Sequence, residues 1–115
     1  MAHLKNLRNL RELNLSGDDI RGSGLIHLKG MTKLQTLDLG NTKLVGLALT
    51  PLRTLPNLET LHVNNTSMTN QEIAVLRGVS KLQLLNVSCT EVTDSGLAIF
   101  QSIPGFQFLN VCPDR

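Results

Sequence analysis

Leu58-Glu59-Thr60-Leu61-His62-Val63 decides the fold of this 115-residue chain, because the same pattern stands at a fixed distance on either side of it. Leu34-Gln35-Thr36-Leu37-Asp38-Leu39 precedes it by 24 residues and Leu82-Gln83-Leu84-Leu85-Asn86-Val87 follows it by 24. One more step outward reaches Leu10-Arg11-Glu12-Leu13-Asn14-Leu15 and Phe106-Gln107-Phe108-Leu109-Asn110-Val111. Within each stretch the fourth and sixth residues are apolar and the fifth is not, the alternation of a short strand that buries every second side chain. An internal period of this length marks a repeat architecture in which one supersecondary unit recurs.

Counting the leading Leu or Phe as position one, four further apolar positions recur. Position eleven is Ile20, Leu44, Met68 and Val92, and position sixteen is Leu25, Leu49, Ile73 and Leu97. Position nineteen is Leu28, Leu52, Leu76 and Phe100, and position twenty-two is Met31, Leu55, Val79 and Ile103. Neither a single helical nor a single strand period reproduces all these offsets, so each turn changes conformation partway. The sixteen-to-nineteen spacing is helical. Thr69-Asn70-Gln71-Glu72 has the form of a capping box, and Thr93-Asp94-Ser95 offers alternative caps ahead of Leu97. Gly30, Gly78, Pro56 and Pro104 are placed to end the helical segments. The second turn differs, because Leu47-Ala48-Leu49-Thr50-Pro51 is an apolar run without a clear cap.

These stretches, each followed by a turn and a further apolar set, resemble the leucine-rich repeat family over nearly the whole chain. The resemblance implies an α/β fold: a right-handed solenoid with a parallel β-sheet on the concave face and short helices or irregular segments on the convex face. The register divides a single solenoid, residues 1–115, into full repeats at 10–33, 34–57, 58–81 and 82–105, with a final strand at 106–115. Running it backwards makes residues 1–9 the end of a preceding turn, with Leu4 at position nineteen and Leu7 at twenty-two. The family usually carries Asn or Cys at position nine, where a buried side chain hydrogen-bonds backbone groups of neighbouring turns. Here the residues are Asp18, Thr42, Thr66 and Thr90. A threonine hydroxyl can meet part of that demand at smaller volume. Asp18, if buried and ionised, needs several backbone donors or a place near an open end.

Composition bounds the function. The core must be aliphatic, since hydrophobic residues make up 41% of the chain and aromatics only 3%. A net charge of +2 lacks the basic excess that phosphate tracking requires, which argues against nucleic acid as a partner. The N-terminal residues carry charges every few positions and form neither a signal peptide nor a membrane span. Two cysteines are too few for a disulfide framework, which favours a reducing, intracellular compartment.

Little in the sequence points to chemistry. His3, His27 and His62 occupy different repeat positions and form no cluster, so His62 reads as a surface residue and not a general base. Gly17-Asp18-Asp19-Ile20-Arg21-Gly22-Ser23-Gly24 lacks the Lys-Ser/Thr ending of a phosphate loop, and its glycines read as turn residues. No cofactor or metal site is expected, and the chain reads as non-enzymatic. Cys89 and Cys112 lie on adjacent turns, near enough to pair. Their offset by one repeat position favours free thiols. Glycosylation sequons occur at Asn14, Asn64, Asn65 and Asn86, and those at Asn14 and Asn86 follow from the way the repeat writes Asn at position five and Ser at position seven.

The outward strand positions two, three, five and seven define a candidate partner-binding face: Arg11, Glu12 and Asn14, then Gln35 and Asp38, then Glu59, His62 and Asn64, then Gln83, Leu84 and Asn86, and finally Gln107 and Phe108. Amides, hydroxyls and charges of both signs suit hydrogen bonding to a protein. Leu84 and Phe108 interrupt this polarity on neighbouring rungs, and either anchor a partner or, for Phe108, pack under sequence outside the chain. No polar cap covers either end, so the chain reads as a section of a larger protein or as a unit that self-associates end to end. A non-catalytic protein-interaction module is the function expected. A substrate-recruiting region of an enzyme and a self-associating structural array are the alternatives.

Overall fold

The computed structural model describes residues 9–17, 28, 30–44, 49–79, 81–100 and 105–109. Asp18, the glycines of the 17–24 stretch beyond Gly17, Pro104 and Cys112 lie outside them. The chain is a leucine-rich repeat solenoid. Its five strands are β1 (Glu12–Asn14), β2 (Thr36–Asp38), β3 (Thr60–His62), β4 (Leu84–Asn86) and β5 (Gln107–Leu109). They form one parallel sheet in sequential order. Each connection must return to the same end of the sheet before the next strand starts, which requires a crossover of a dozen or more residues and a right-handed path.

Pairing follows the period. Leu13 faces Leu37, Leu37 faces Leu61 and Leu61 faces Leu85. The Arg11 carbonyl accepts from the Gln35 and Thr36 amides at 2.7 and 3.0 Å, and the same forked bond recurs from Gln35 to the third turn and from Glu59 to the fourth. At the last rung the nearest Cα pairing shifts by one residue, setting Leu85 against Phe108. The hydrogen bond there keeps the original offset, Gln107 N–H to the Gln83 carbonyl at 2.7 Å. Phe108 is 40% exposed, so its side chain follows the hydrogen bonds and stays on the outer face.

The apolar positions build one core. Leu37, Leu61 and Leu85 at position four are fully buried, as are Leu34, Leu58 and Leu82 at position one. Positions eleven, sixteen, nineteen and twenty-two contribute Leu44, Met68, Leu49, Ile73, Leu52, Leu76, Met31 and Leu55 to the same cluster. Burying each such side chain is worth about 1.5–3 kcal/mol. At the C-terminal side Phe100 and Phe106 stack, ring centroids 4.8 Å apart, so the Phe at position nineteen of one turn meets the Phe at position one of the next.

Helical segments sit where positions thirteen to twenty-one predict them, but they are short. Helix α1 (Asn70–Ile73) runs into a 3-10 turn at Ala74–Gly78, and α2 (Asp94–Leu97) into one at Ala98–Phe100. Thr69 and Thr93 are the N-cap residues, both with extended backbone. The capping box is altered, since the Thr69 hydroxyl donates to the Glu72 carboxylate and accepts no bond from the helix amides. In the second turn the uncapped apolar run leads to a 3-10 turn, Thr50–Thr54, which opens with Pro51.

Position nine works within its own turn. Thr42, Thr66 and Thr90 are buried, and their hydroxyls donate to the carbonyls of Leu39, Val63 and Val87 at 2.6–2.7 Å. The sheet ladder uses the carbonyls of positions five and seven, as in Val63 N–H to Asn86 and Asn65 N–H to Ser88. The hydroxyl takes the carbonyl between them. The expected bonds to neighbouring turns therefore give way to a three-residue bond, because the threonine side chain is too short to cross the rung.

Cys89 corrects the expectation of free thiols. It is disulfide-bonded, and Cys112 is the only other cysteine of the sequence. Cys89 has φ of 57°, a left-handed backbone that a repeat-position offset does not take into account.

Replacing Thr66 by Val removes the donor and keeps the shape, so the Val63 carbonyl is left buried without it. Thr66→Val should lower stability by about 1–3 kcal/mol in urea unfolding, and Thr66→Ser should retain most of it.

Candidate partner-binding face

The outer face of the sheet collects the residues that the repeat assigns to it. Arg11, Glu12, Asn14, Gln35, Gln83, Gln107 and Phe108 are exposed. Asp38, Glu59, His62, Asn64, Leu84 and Asn86 are half-buried, since neighbouring rungs shade the middle of the face. Consecutive strands stand about 4.8 Å apart, so any row of equivalent positions is a closely spaced ladder of side chains.

Position five is held rigid by the backbone beneath it. The side-chain oxygens of Asn14, Asp38 and Asn86 each accept from the amide two residues on, that of Ser16, Gly40 and Ser88, at 2.9–3.1 Å. This Asx turn stops the strand and aims the rest of the side chain outward. It also fixes the chemistry of the third rung. Because the Asn86 oxygen is the acceptor for Ser88, its amino group is left to donate, and it meets His62 Nδ1 at 3.2 Å. His62 Nδ1 is then an acceptor, which puts the proton of the neutral imidazole on Nε2. The same amino group reaches Asn64 Oδ1 at 3.4 Å.

Asn64 owes its place to the small residue beside it. A Cβ on Gly40 would lie 2.6 Å from Asn64 Oδ1, so the asparagine lies across the glycine of the preceding turn. Position seven thus combines Gly40 with Asn64, and position five combines His62 with Asn86, in one hydrogen-bonded patch across β3 and β4. Toward β1, Glu12, Leu13, Asn14, Thr36, Asp38 and His62 line an open cleft of about 330 Å³. Two carboxylates and an imidazole edge it, with a leucine at its floor.

The turn that follows each strand has a signature that the apolar count passed over. Position eight is Gly17, Asn41, Asn65 and Cys89, with φ of 76°, 58°, 56° and 57°. Gly and Asn are the residues that enter this left-handed region most readily. Their recurrence at one offset is the signal that marks the turn in sequence. A second missed contact links the turns behind the sheet. The Asn70 side chain donates to Thr93 Oγ1 at 2.8 Å, accepts from the Thr93 amide at 2.9 Å and lies over Gly96.

Among the described residues no group of three or more His, Cys, Asp or Glu is placed to hold a metal ion. No helix among them is long and apolar enough to cross a membrane.

The chain is similar in structure to internalin C2 from Listeria monocytogenes, with a TM-score of 0.79 and 25% identity over 96% of the chain. It is also similar to another internalin (inlF) of that organism, with a TM-score of 0.57 and 18% identity over 97% of the chain, a likeness that bears on the fold alone. It spans less than half of those proteins, 46% and 38% of the two structures. No protein-family model matches the sequence. No curated protein matches it either.

The amide network makes a spectroscopic prediction. Nitrogen chemical shifts of His62 at neutral imidazole should report the Nε2–H tautomer, and Asn86→Ala should return the ring to a mixture of tautomers.

Proposed function

We propose that the chain is a non-catalytic protein-interaction module of the leucine-rich repeat kind, built from 24-residue units with threonine mostly in place of Asn or Cys at position nine, and that the sheet face binds the partner. The observation that carries this reading is the face itself. Side chains at positions two, three, five and seven have no role in the core, yet several at positions five and seven are ordered by Asx turns and by the His62–Asn86–Asn64 network. A preorganised polar surface loses less side-chain entropy on binding than a mobile one. The likeness to internalins supports an interaction role.

Leu84 and Phe108 supply the apolar anchor on this reading. Phe108 is 40% exposed and Leu84 is half-buried, and the polar residues Gln83, Asn86 and Gln107 surround them. Aromatic and aliphatic side chains ringed by polar groups are the arrangement that concentrates binding energy. The partner is a protein and not a nucleic acid, and the face needs no cofactor.

The chain acts as part of a larger protein, consistent with its span of less than half of the internalins. The disulfide at Cys89 favours an oxidising compartment over the reducing one that the cysteine count suggests. Recruitment of a substrate to a catalytic domain elsewhere, or end-to-end self-association through apolar turns, would use the same scaffold. The first differs by the need for an attached enzyme and the second by a mass that rises with concentration.

With a partner captured by the intact protein, Leu84→Ala and Phe108→Ala should each weaken binding by about 1–3 kcal/mol, read by titration calorimetry. Unchanged affinity in both variants would contradict the anchor.

A further inference from the structure

Charge is sorted around the solenoid in a way that the net value of +2 conceals. Positions twenty to twenty-four, the segment that leads from the helical side into each strand, hold Lys5, Arg8, Lys29, Lys33, Arg53, Arg77 and Lys81. Seven of the 11 basic residues of the chain thus fall in four short blocks, and none of the 9 acidic residues does. Lys5, Arg8 and Lys29 lie outside the described residues. Lys33, Arg53, Arg77 and Lys81 are described, and all four are exposed.

The geometry adds a built feature to this count. Arg53 and Arg77, equivalent residues of successive turns, line one cleft of about 410 Å³ with Ala74, Val75 and Gly78. The Arg53 guanidinium reaches along the axis onto the next turn, where a Cβ on Gly78 would lie 3.1 Å from its Nε. The missing side chain at Gly78 therefore makes the room in which two guanidinium groups share one cleft. On the neighbouring row Lys81 donates to the Asn57 amide oxygen at 3.0 Å, and Asn57 donates in turn to the Thr32 carbonyl. An amide holds that ammonium in position without neutralising it.

We propose that this edge is a docking surface for a linear sulfated polysaccharide, a surface distinct from the sheet face and independent of its function. Among the described residues, Arg53 and Arg77 at one position of successive turns, with Lys33 and Lys81 two turns apart at a second position, set exposed cations along the solenoid axis, which matches an extended chain of anionic groups. Guanidinium forks bind sulfate oxygens in pairs of hydrogen bonds. Amides and hydroxyls between the charges, Asn57, Thr32 and Thr54, suit sugar hydroxyls. A single-stranded nucleic acid needs aromatic stacking platforms, and this edge has none. A membrane surface needs apolar side chains that insert between head groups, and the exposed residues of this edge are polar, proline or glycine.

The test measures binding of a fluorescein-labelled heparin oligosaccharide to the intact protein by anisotropy at low ionic strength. Wild type should bind saturably, with an affinity that falls steeply as salt rises. Arg53→Gln combined with Arg77→Gln should weaken binding at least about tenfold, whereas Lys43→Gln, at position ten on the other edge, should change it less than about twofold. Each substitution is at an exposed position, and unchanged urea midpoints would verify that the variants are folded. Absence of saturable binding by wild type, or a loss per charge as large in Lys43→Gln as in the double variant, would overturn the proposal. Tighter binding to phosphatidylserine vesicles or to duplex DNA than to the sulfated oligosaccharide would overturn it as well.

Discussion

A three-residue parallel strand satisfies its backbone only through the strands beside it, and here those strands are the same segment of the preceding and following turns. The hydrogen bonds recur between equivalent residues, Arg11 to Gln35, Gln35 to Glu59, Glu59 to Gln83 and Gln83 to Gln107. Each turn must therefore bring its next strand back into the same hydrogen-bonding register, and here it does so after 24 residues. That constraint explains why the second turn, which carries a 3-10 turn at Thr50–Thr54 with Pro51 in its first turn, still returns Leu58 to the core. It also explains the buried threonines, which stop each strand by engaging the one carbonyl that the ladder leaves over. Stability in such an array is a sum of local turn and nearest-neighbour terms, so no distant contact holds the fold together.

The same constraint creates the surfaces. Because a position of the repeat always returns to the same side, residue choice at one position writes a row along the molecule. Position five writes Asn14, Asp38, His62 and Asn86, and its hydrogen bonds with position seven give the sheet face its order. Positions twenty and twenty-four write cations along one edge. Two chemically different surfaces thus coexist on a chain with a net charge of +2. Neither interferes with the core, whose positions are filled by Leu, Val, Ile, Met and Phe.

Periodicity made the architecture legible, because burial demands the same residue type every 24 positions and no competing requirement disturbs it. The outward rows were legible for the same reason, and Phe108 lies on the expected face even though the last Cα pairing shifts by a residue. Details that depend on reach and backbone angle were not. The capping box read at Thr69 became a side-chain pair with Glu72, since both groups satisfy each other before reaching the helix backbone. The disulfide at Cys89 is not encoded in repeat positions, and the left-handed backbone it shares with Gly17, Asn41 and Asn65 is carried only by the residue types at that offset. The tautomer of His62 follows from a bond between turns, and no spacing rule encodes it.

A 24-residue hydrogen-bonding offset between turns holds the fold, and removal of one turn tests it most directly. Deleting residues 58–81 joins Asn57 to Leu82 with every position in register. Thermal unfolding followed by circular dichroism should then show a cooperative transition, at a somewhat lower temperature because one neighbour interface is gone. Deleting residues 58–80 leaves one extra residue and sets the following apolar positions out of step, and that variant should show no cooperative transition. Equal cooperativity and equal midpoints for the two deletions would contradict the account.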